Sequence, residues 1–274
     1  VRAVAVTRRP PGVDRKTFAP RPADEPLMDD VVLVDVAARA VVGFQVTLAG
    51  SAAPWAQMVD ALGGLAWNDV SPAGKRGGAR LAGIVSPHRT FGYLPPQTLR
   101  VRYGAMAAGL TNDCPPLANA LDALGARLWR HVCLHMPEAA SAHESAVSGA
   151  IEPVWRMGRW FTSGILNRTV ALPYHRDAAN LPGCLSAMVC LRSGISGGHL
   201  HLPEYGVWLG VPDRSLVVFS GSTLMHGVTP LYGQGHRYTA VWYVRAGMRG
   251  CAPSREEEMR RAQLAATSHD QVPA

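Results

Sequence analysis

Three features of the sequence predict an α+β fold in which a double-stranded β-helix, a relative of the jelly roll, is buttressed by helices on its N-terminal side. The first is a succession of short β-rich runs separated by Gly, Pro and Asp turns: residues 185–191 (LSAMVCL), 197–203 (GGHLHLP), 215–219 (SLVVF) and 237–244 (RYTAVWYV). The second is the recurrence of Leu117, Leu121, Leu124, Leu128 and Val132 at helical spacing ahead of those runs. The third is His175-Arg176-Asp177 followed much later by His226, a separation that regularly spaced antiparallel strands would close.

The elements follow in order. Residues 1–28 are rich in Pro, Arg and Asp with little periodicity and predict an extended or poorly ordered arm. Residues 31–36 and 41–48 predict strands, and Ser51 is placed to cap a helix reaching about Leu62. From Val70 to Asn112 the chain holds no Asp or Glu, whereas Lys75, Arg76, Arg80, Arg89, Arg100 and Arg102 all fall inside. The Gly-rich basic segment 74–80 suits contacts to phosphates, and it equally suits an ordinary solvated surface loop.

Residues 91–93 and 98–103 predict extended pieces. Asn112 or Asp113 is placed to cap the long amphipathic helix, which should pack on a sheet face, and a second helix is expected near residues 143–149. Strands should begin around residues 159–168, giving a β-helix core over about 159–247. Ser254 with Glu257 is a capping-box pattern that predicts a C-terminal helix before a polar tail from Thr267. The organisation expected is one domain over 29–250, with the arm before it and residues 251–274 as helix and tail.

Composition narrows the function classes. Hydrophobic content of 47% and mean hydropathy of +0.02 describe a globular chain, and no apolar run approaches a membrane span. The N-terminus shows no signal-peptide pattern, so the expected location is the compartment of synthesis: cytoplasmic in a bacterial or phage-infected cell, nuclear in a eukaryote. Cys114, Cys133, Cys184, Cys190 and Cys251 are scattered without a C-x-x-C pair, which speaks against a disulfide framework or a zinc site. The net charge of +7 leans toward a polyanionic partner.

The chemistry resides in His175, Asp177, His226 and Arg237. Two imidazoles and one carboxylate are the donors of the facial triad that holds Fe(II) and leaves coordination positions open for a co-substrate and O₂. A bare H-x-D pattern carries little weight, but an Arg soon after the distal His supplies a fork that can pair bidentately with a carboxylate of 2-oxoglutarate. The set therefore reads as an Fe(II)/2-oxoglutarate dioxygenase. His88, His131, His135, His143, His236 and His269 have no spacing that ties them to the triad and read as ordinary core or surface residues.

Asn167, the run 174–180 (YHRDAAN), the run 197–206 (GGHLHLPEYG), His226-Gly227-Val228 and 237–243 (RYTAVWY) resemble the TET/JBP dioxygenases, which oxidise 5-methylpyrimidines in DNA. With Arg89-Thr-Phe-Gly92 counted as that family's R-x-F-G element, the resemblance covers about residues 86–247. It is nearest to the compact members, since no large insert separates Asp177 from His226. It implies that His175, Asp177 and His226 bind Fe(II), and that Arg237 and Thr239 bind 2-oxoglutarate. His201, or His199 of the same parity, would touch that co-substrate.

The same resemblance places Asn180 and Arg89 at the substrate. Arg245 stands where several members have a base-contacting His, and it can donate to cytosine or grip a phosphate. Phe91, Tyr93 and Trp242 are stacking candidates as well as core candidates. The implied partner is double-stranded DNA containing 5-methylcytosine, flipped into the pocket of a monomer and oxidised to 5-hydroxymethylcytosine or further. Thymine hydroxylation, use of another co-substrate on the methyl group, hydroxylation of a protein or small molecule, and a non-enzymatic binding domain remain as alternatives.

Overall fold

The computed structural model describes residues 1–14, 17–20, 22, 25–67, 87–95 and 105–252. Its elements are β1 (Arg2–Val6), β2 (Val31–Asp35), β3 (Ala40–Thr47), α1 (Ala52–Gly63), β4 (His88–Leu94), β5 (Met106–Ala107), α2 (Gly109–Asp113), α3 (Pro115–His135) and α4 (Pro137–Ala150). There follow β6 (Ser163–Arg168), β7 (Leu172–His175), β8 (Ser186–Gly197), β9 (Leu200–Leu202), β10 (Val207–Leu209), β11 (Ser215–Phe219), β12 (His226–Val228) and β13 (Leu231–Tyr243).

The strands make a major sheet in the order β1-β2-β3-β11-β8-β13-β6-β4-β5 and a minor sheet in the order β10-β9-β12-β7. This pair of sheets is the double-stranded β-helix that the spacing predicts. Alternation decides what each face carries, because successive side chains on a strand point to opposite faces. Tyr238, Ala240 and Trp242 of β13, Val189 and Leu191 of β8, and Leu216 and Val218 of β11 pack with Leu121, Leu124, Leu128 and Val132 of α3 in one core. The residues between them, Cys190, Val217 and Phe219, pack with Leu200, Leu202 and Leu209 of the minor sheet in a second core. Arg237 and Thr239, of the opposite parity to Tyr238, therefore face the minor sheet.

Helix α3 sits close to the major sheet because a glycine lies at the crossing. A Cβ on Gly125 would come 2.9 Å from Trp242 Nε1 and 3.1 Å from Gly158 Cα. Trp242 Nε1 donates to the Leu121 carbonyl at 3.2 Å, which satisfies the polar edge of a ring with no exposure.

Several expectations are revised. Asp113 does not cap the long helix: the short α2 ends there, Cys114 is the N-cap without a side-chain cap bond, and Pro115 begins the helix. Proline's fixed φ suits the first helical turn, and the Asp113 carboxylate is drawn instead to Arg89. Ser51 precedes α1, also without a side-chain cap bond. Residues 2–6 of the arm form β1, parallel to β2. The extended run expected at 98–103, the basic segment 74–80 with Arg100 and Arg102, and the helix expected from Ser254 lie outside the described residues. Among the described residues no helix is long and apolar enough to cross a membrane.

Candidate active site

His175 ends β7 and His226 begins β12, and the two are direct cross-strand partners. Antiparallel partners project from the same face, so the imidazoles stand side by side with ring centroids 4.2 Å apart. Asp177 lies just past β7, its N–H donating to the Gly221 carbonyl at 2.9 Å. Asp177 Oδ1 is then 3.5 Å from His175 Nε2 and 3.9 Å from His226 Nε2. One donor atom from each residue lies within 4.8 Å of the others, the arrangement a single metal ion requires.

The hydrogen bonds behind the rings set their chemical state. His175 Nδ1 is 2.8 Å from the Pro173 carbonyl and His226 Nδ1 is 3.1 Å from the Leu224 carbonyl. A carbonyl only accepts, so each Nδ1 carries a proton and each Nε2 is the atom directed toward Asp177. Burial, aided by the neighbouring His175, drives the His226 pKa down to about 4 and keeps it neutral. Burial also disfavours charge on His175 and Asp177. Their mutual hydrogen bond and attraction outweigh it, raising His175 and lowering Asp177. Two imidazoles and one carboxylate are a donor set that fits Fe(II).

Two residues behind Asp177 complete this wall. Asn180 Nδ2 donates to Asp177 Oδ2 at 3.3 Å and to Ser186 Oγ at 3.3 Å, leaving Oδ1 for the histidines. A Cβ on Gly221 would lie 2.3 Å from Asp177 Oδ2, so that position has room for glycine alone. Phe219 packs edge-on to His226 at 5.0 Å and is the register partner of Ser186. The triad thus leans on the inner face of the major sheet, the face that carries Thr239 and Arg237 on β13.

Arg237 is 3% exposed, and its Nε and Nη2 are buried without a hydrogen-bond partner among the described residues. A buried guanidinium with donors to spare is costly unless an anion meets it, and two adjacent N–H groups match one carboxylate. Gly198 gives the guanidinium its room, since a Cβ there would come 2.9 Å from Nε. Thr169 fixes the backbone: its N–H donates to the Arg237 carbonyl at 2.7 Å and its Oγ1 accepts from the Arg237 N–H at 3.2 Å. Thr239 is buried on the same face and receives a hydrogen bond from Asn167 Nδ2 at 3.4 Å. The orphaned donors fit one carboxylate of a dicarboxylate such as 2-oxoglutarate.

No family model matches the sequence, and no curated protein matches it. Among solved structures, NgTET1 in complex with 5mC DNA aligns at TM-score 0.59 and 10% identity, over 88% of this chain and 88% of that one. A 2OG-Fe(II) oxygenase family protein from Burkholderia pseudomallei aligns at TM-score 0.43 and 15% identity, over 75% of this chain and 89% of that one. The Neurospora crassa T7H in complex with alpha-KG aligns at 0.43 and 13%, over 82% and 86%. The chain shares its fold with NgTET1. Fe(II) and 2-oxoglutarate are the cofactor and co-substrate that the triad and Arg237 fit on that fold.

Other residues singled out in the sequence fall in different places. His201 pairs with Gly227, whose parity is opposite to that of His226, so His201 lies on the far side of the minor sheet from the metal donors. There it stacks on Trp208 at 3.7 Å and shares a 2.6 Å hydrogen bond with the Tyr174 hydroxyl. That position removes it from the co-substrate. His199 has its Nδ1 3.1 Å from the Gly210 carbonyl. Arg89, the partner of core residue Leu166, points to the helical side, donates to the Ala66 carbonyl at 2.8 Å and pairs with Asp113, away from the triad.

Asn180 and Arg245 are brought together by an isolated antiparallel bridge, and the Arg245 N–H donates to Thr162 Oγ1 at 3.0 Å. Asn180 is 7% exposed with its amide turned to Asp177, so its place in the structure is behind the metal ligand. Phe91, Tyr93 and Trp242 are buried core aromatics. His143 is buried with both ring nitrogens engaged, by the Trp160 carbonyl at 2.8 Å and the Leu185 N–H at 3.0 Å. Sequence reasoning missed Gly221, Gly198 and Thr169, because the need for each arises from a contact with a residue far along the chain.

Proposed function

We propose that the protein is an Fe(II)/2-oxoglutarate-dependent dioxygenase that oxidises 5-methylcytosine in double-stranded DNA to 5-hydroxymethylcytosine. The observation that carries the oxygenase reading is the triad of His175, Asp177 and His226 on a sheet that faces a buried Arg237 with two donors unpartnered among the described residues. Support for the substrate comes from the TET/JBP-like residues of the sequence and from the likeness to a structure holding 5mC DNA. The acid-free basic stretch from Val70 to Asn112 is suited to a phosphate backbone.

In this reading His175, Asp177 and His226 would hold Fe(II), and Arg237 with Thr239 would orient 2-oxoglutarate by its distal carboxylate. Held there, Fe(II) would supply the O₂ activation that couples hydroxylation of the substrate methyl group to conversion of 2-oxoglutarate to succinate and CO₂. Asn180, itself anchored on Ser186, holds Asp177 in a fixed rotamer, which keeps the ligand set from spreading when the base enters. A duplex methyl group reaches such a recessed site only after the nucleotide swings out, at a cost of a few kcal/mol that phosphate contacts must offset. Arg245 is the residue we assign to the flipped base, where its guanidinium can donate to cytosine O2 or N3.

The test is succinate formation from 2-oxoglutarate with a methylated duplex, an unmethylated duplex of the same sequence and no DNA, for the wild type and His175→Ala. Turnover stimulated by the methylated duplex and lost in the variant is the result expected. Equal stimulation by both duplexes would shift the target to thymine. Turnover indifferent to DNA would contradict the reading and point to a protein or small-molecule substrate.

A further inference from the structure

The ladder that carries the two histidine ligands is short and irregular. β7 and β12 pair only at His175↔His226 and Leu172↔Val228, with a register shift between them. Such a ladder leaves the spacing of the ligands loosely set, since a bulged pair bends easily. Asp177 lies beyond it altogether. Something else must hold the two ligand-bearing segments at a fixed separation.

Glu204, just after β9, is placed to do so. It is 3% exposed, and Oε2 accepts the Met225 N–H at 2.6 Å, one residue before His226. Oε1 accepts from Arg176 Nη2 at 3.0 Å, and Arg176 is the residue between His175 and Asp177. Arg176 Nε in turn donates to the Thr223 carbonyl at 3.0 Å, on the approach to His226. One carboxylate thus grips the neighbours of all three metal ligands from the face opposite the metal. Burial would raise its pKa, but the Met225 and Arg8 hydrogen bonds and the nearby arginine charges hold it below the ordinary carboxylate range.

The third partner comes from the N-terminal arm. Arg8 Nη2 donates to Glu204 Oε1 at 2.9 Å, and the Arg9 N–H donates to the Glu204 carbonyl at 2.7 Å. Farther on, the arm lies along β7: the Tyr174 N–H donates to the Thr17 carbonyl at 2.8 Å, and Phe18 bridges to Pro173. Ala19, Tyr174 and Met225 form a small buried cluster there, with Val13 and Trp208 against it. The arm therefore touches the residues preceding His175 and His226 as well as the carboxylate that links them.

We infer that Glu204 is a positioning residue for the metal centre, a buried clasp that sets the separation of the His175–Asp177 turn and His226, and that the N-terminal arm completes this clasp through Arg8. The inference rests on the metal-binding reading proposed above. Residues behind metal ligands commonly matter to affinity nearly as much as the ligands do, and their loss typically weakens metal binding by about 10–100-fold. Arg8 is half exposed and Glu204 is not, so replacing the arginine should perturb the site less than replacing the carboxylate.

Anaerobic Co(II) titration of the full chain, read by ligand-field absorption well below the melting temperature, tests this on the folded protein without recourse to turnover. Glu204→Gln should bind Co(II) about 10–100-fold more weakly with an altered ligand-field band. Arg8→Gln should show a smaller loss, and the double variant should lose less than the two single losses added, as residues sharing one network do. If Glu204→Gln does not fold, Arg8→Gln and Arg176→Gln carry the same measurement. Variants that bind Co(II) with wild-type affinity and spectrum, whatever their melting temperatures, would overturn the clasp. A wild-type protein that binds no Co(II) or Fe(II) would instead overturn the metal reading itself.

Discussion

At the scale of single residues, the ligands were the legible part of the site and their supports were not. His175, Asp177, His226 and Arg237 show in the sequence because iron and a carboxylate co-substrate demand those side-chain types in that order. Gly221 carries no such mark: its requirement comes from Asp177, whose Oδ2 would lie 2.3 Å from an added Cβ. Gly221→Ala should therefore push Asp177 off its rotamer and weaken Fe(II) binding by about 10–100-fold with little loss of helix or strand signal. Calorimetric metal titration alongside circular dichroism checks this, and unchanged affinity would contradict it.

Arg237 makes a separate prediction at the same scale. Removing one partner of a buried, hydrogen-bonded charge pair costs about 2–5 kcal/mol, so Arg237→Ala should raise the KM for 2-oxoglutarate on the order of 10²–10³-fold. Metal affinity in that variant should stay near wild type, because Arg237 lies on the facing sheet. Arg237→Lys should recover little, since an ammonium lacks the planar fork.

At the scale of elements, long strands and long helices could be read directly, whereas the side on which a short element faces could not. β8, β11 and β13 show in the sequence as β-rich runs between turn residues and α3 by helical periodicity, and in the structure alternation places Arg237 and Thr239 inward. β9, β10 and β12 span three residues each, too few for a period to show which face is buried. The family resemblance implies a co-substrate contact for His201 or His199, and the register of His201 with Gly227 puts His201 on the other side. Arg89, which the resemblance places at the substrate, lies on the helical side with its register partner Leu166, its strand neighbour Thr90 having the inward parity.

Arg89→Met should lower stability by about 1–2 kcal/mol through its lost hydrogen bonds while leaving 2-oxoglutarate and DNA parameters unchanged, a split that melting curves and steady-state kinetics would show. Gly125 offers a converse case. Gly125→Val would force α3 away from Trp242, and overpacking of that kind costs roughly 1–3 kcal/mol, exceeding any gain in helix propensity.

At the scale of the whole molecule, two facing sheets divide the labour. Under the proposed function the minor sheet would present the metal donors and the major sheet the co-substrate arginine, while the helices pack on the major sheet from behind. The sequence showed that there would be a β-helix with helical support, because that follows from local patterns. It could not show that the first residues join the major sheet in parallel through β1, nor that the arm continues behind the minor sheet, because both depend on pairings between distant segments.

The basic stretch after α1 belongs to this scale too. Replacing Lys75, Arg76 and Arg80 together by Ala should weaken DNA binding almost independently of sequence. Each lost phosphate contact should flatten the dependence of log affinity on log salt by about 0.9. Fluorescence anisotropy over a salt series checks this, and an unchanged slope would assign that segment to an ordinary solvated surface.

The most direct measurement of the central claim is nucleoside mass spectrometry of a 5-methylcytosine-containing duplex after aerobic incubation with the protein, Fe(II) and 2-oxoglutarate, beside His175→Ala and Arg237→Ala. The account predicts 5-hydroxymethylcytosine with the wild type and none with His175→Ala. It predicts restoration in Arg237→Ala only at greatly raised 2-oxoglutarate. Unchanged 5-methylcytosine from a wild-type protein that binds both Fe(II) and 2-oxoglutarate would contradict the claim that methylated cytosine in DNA is the substrate.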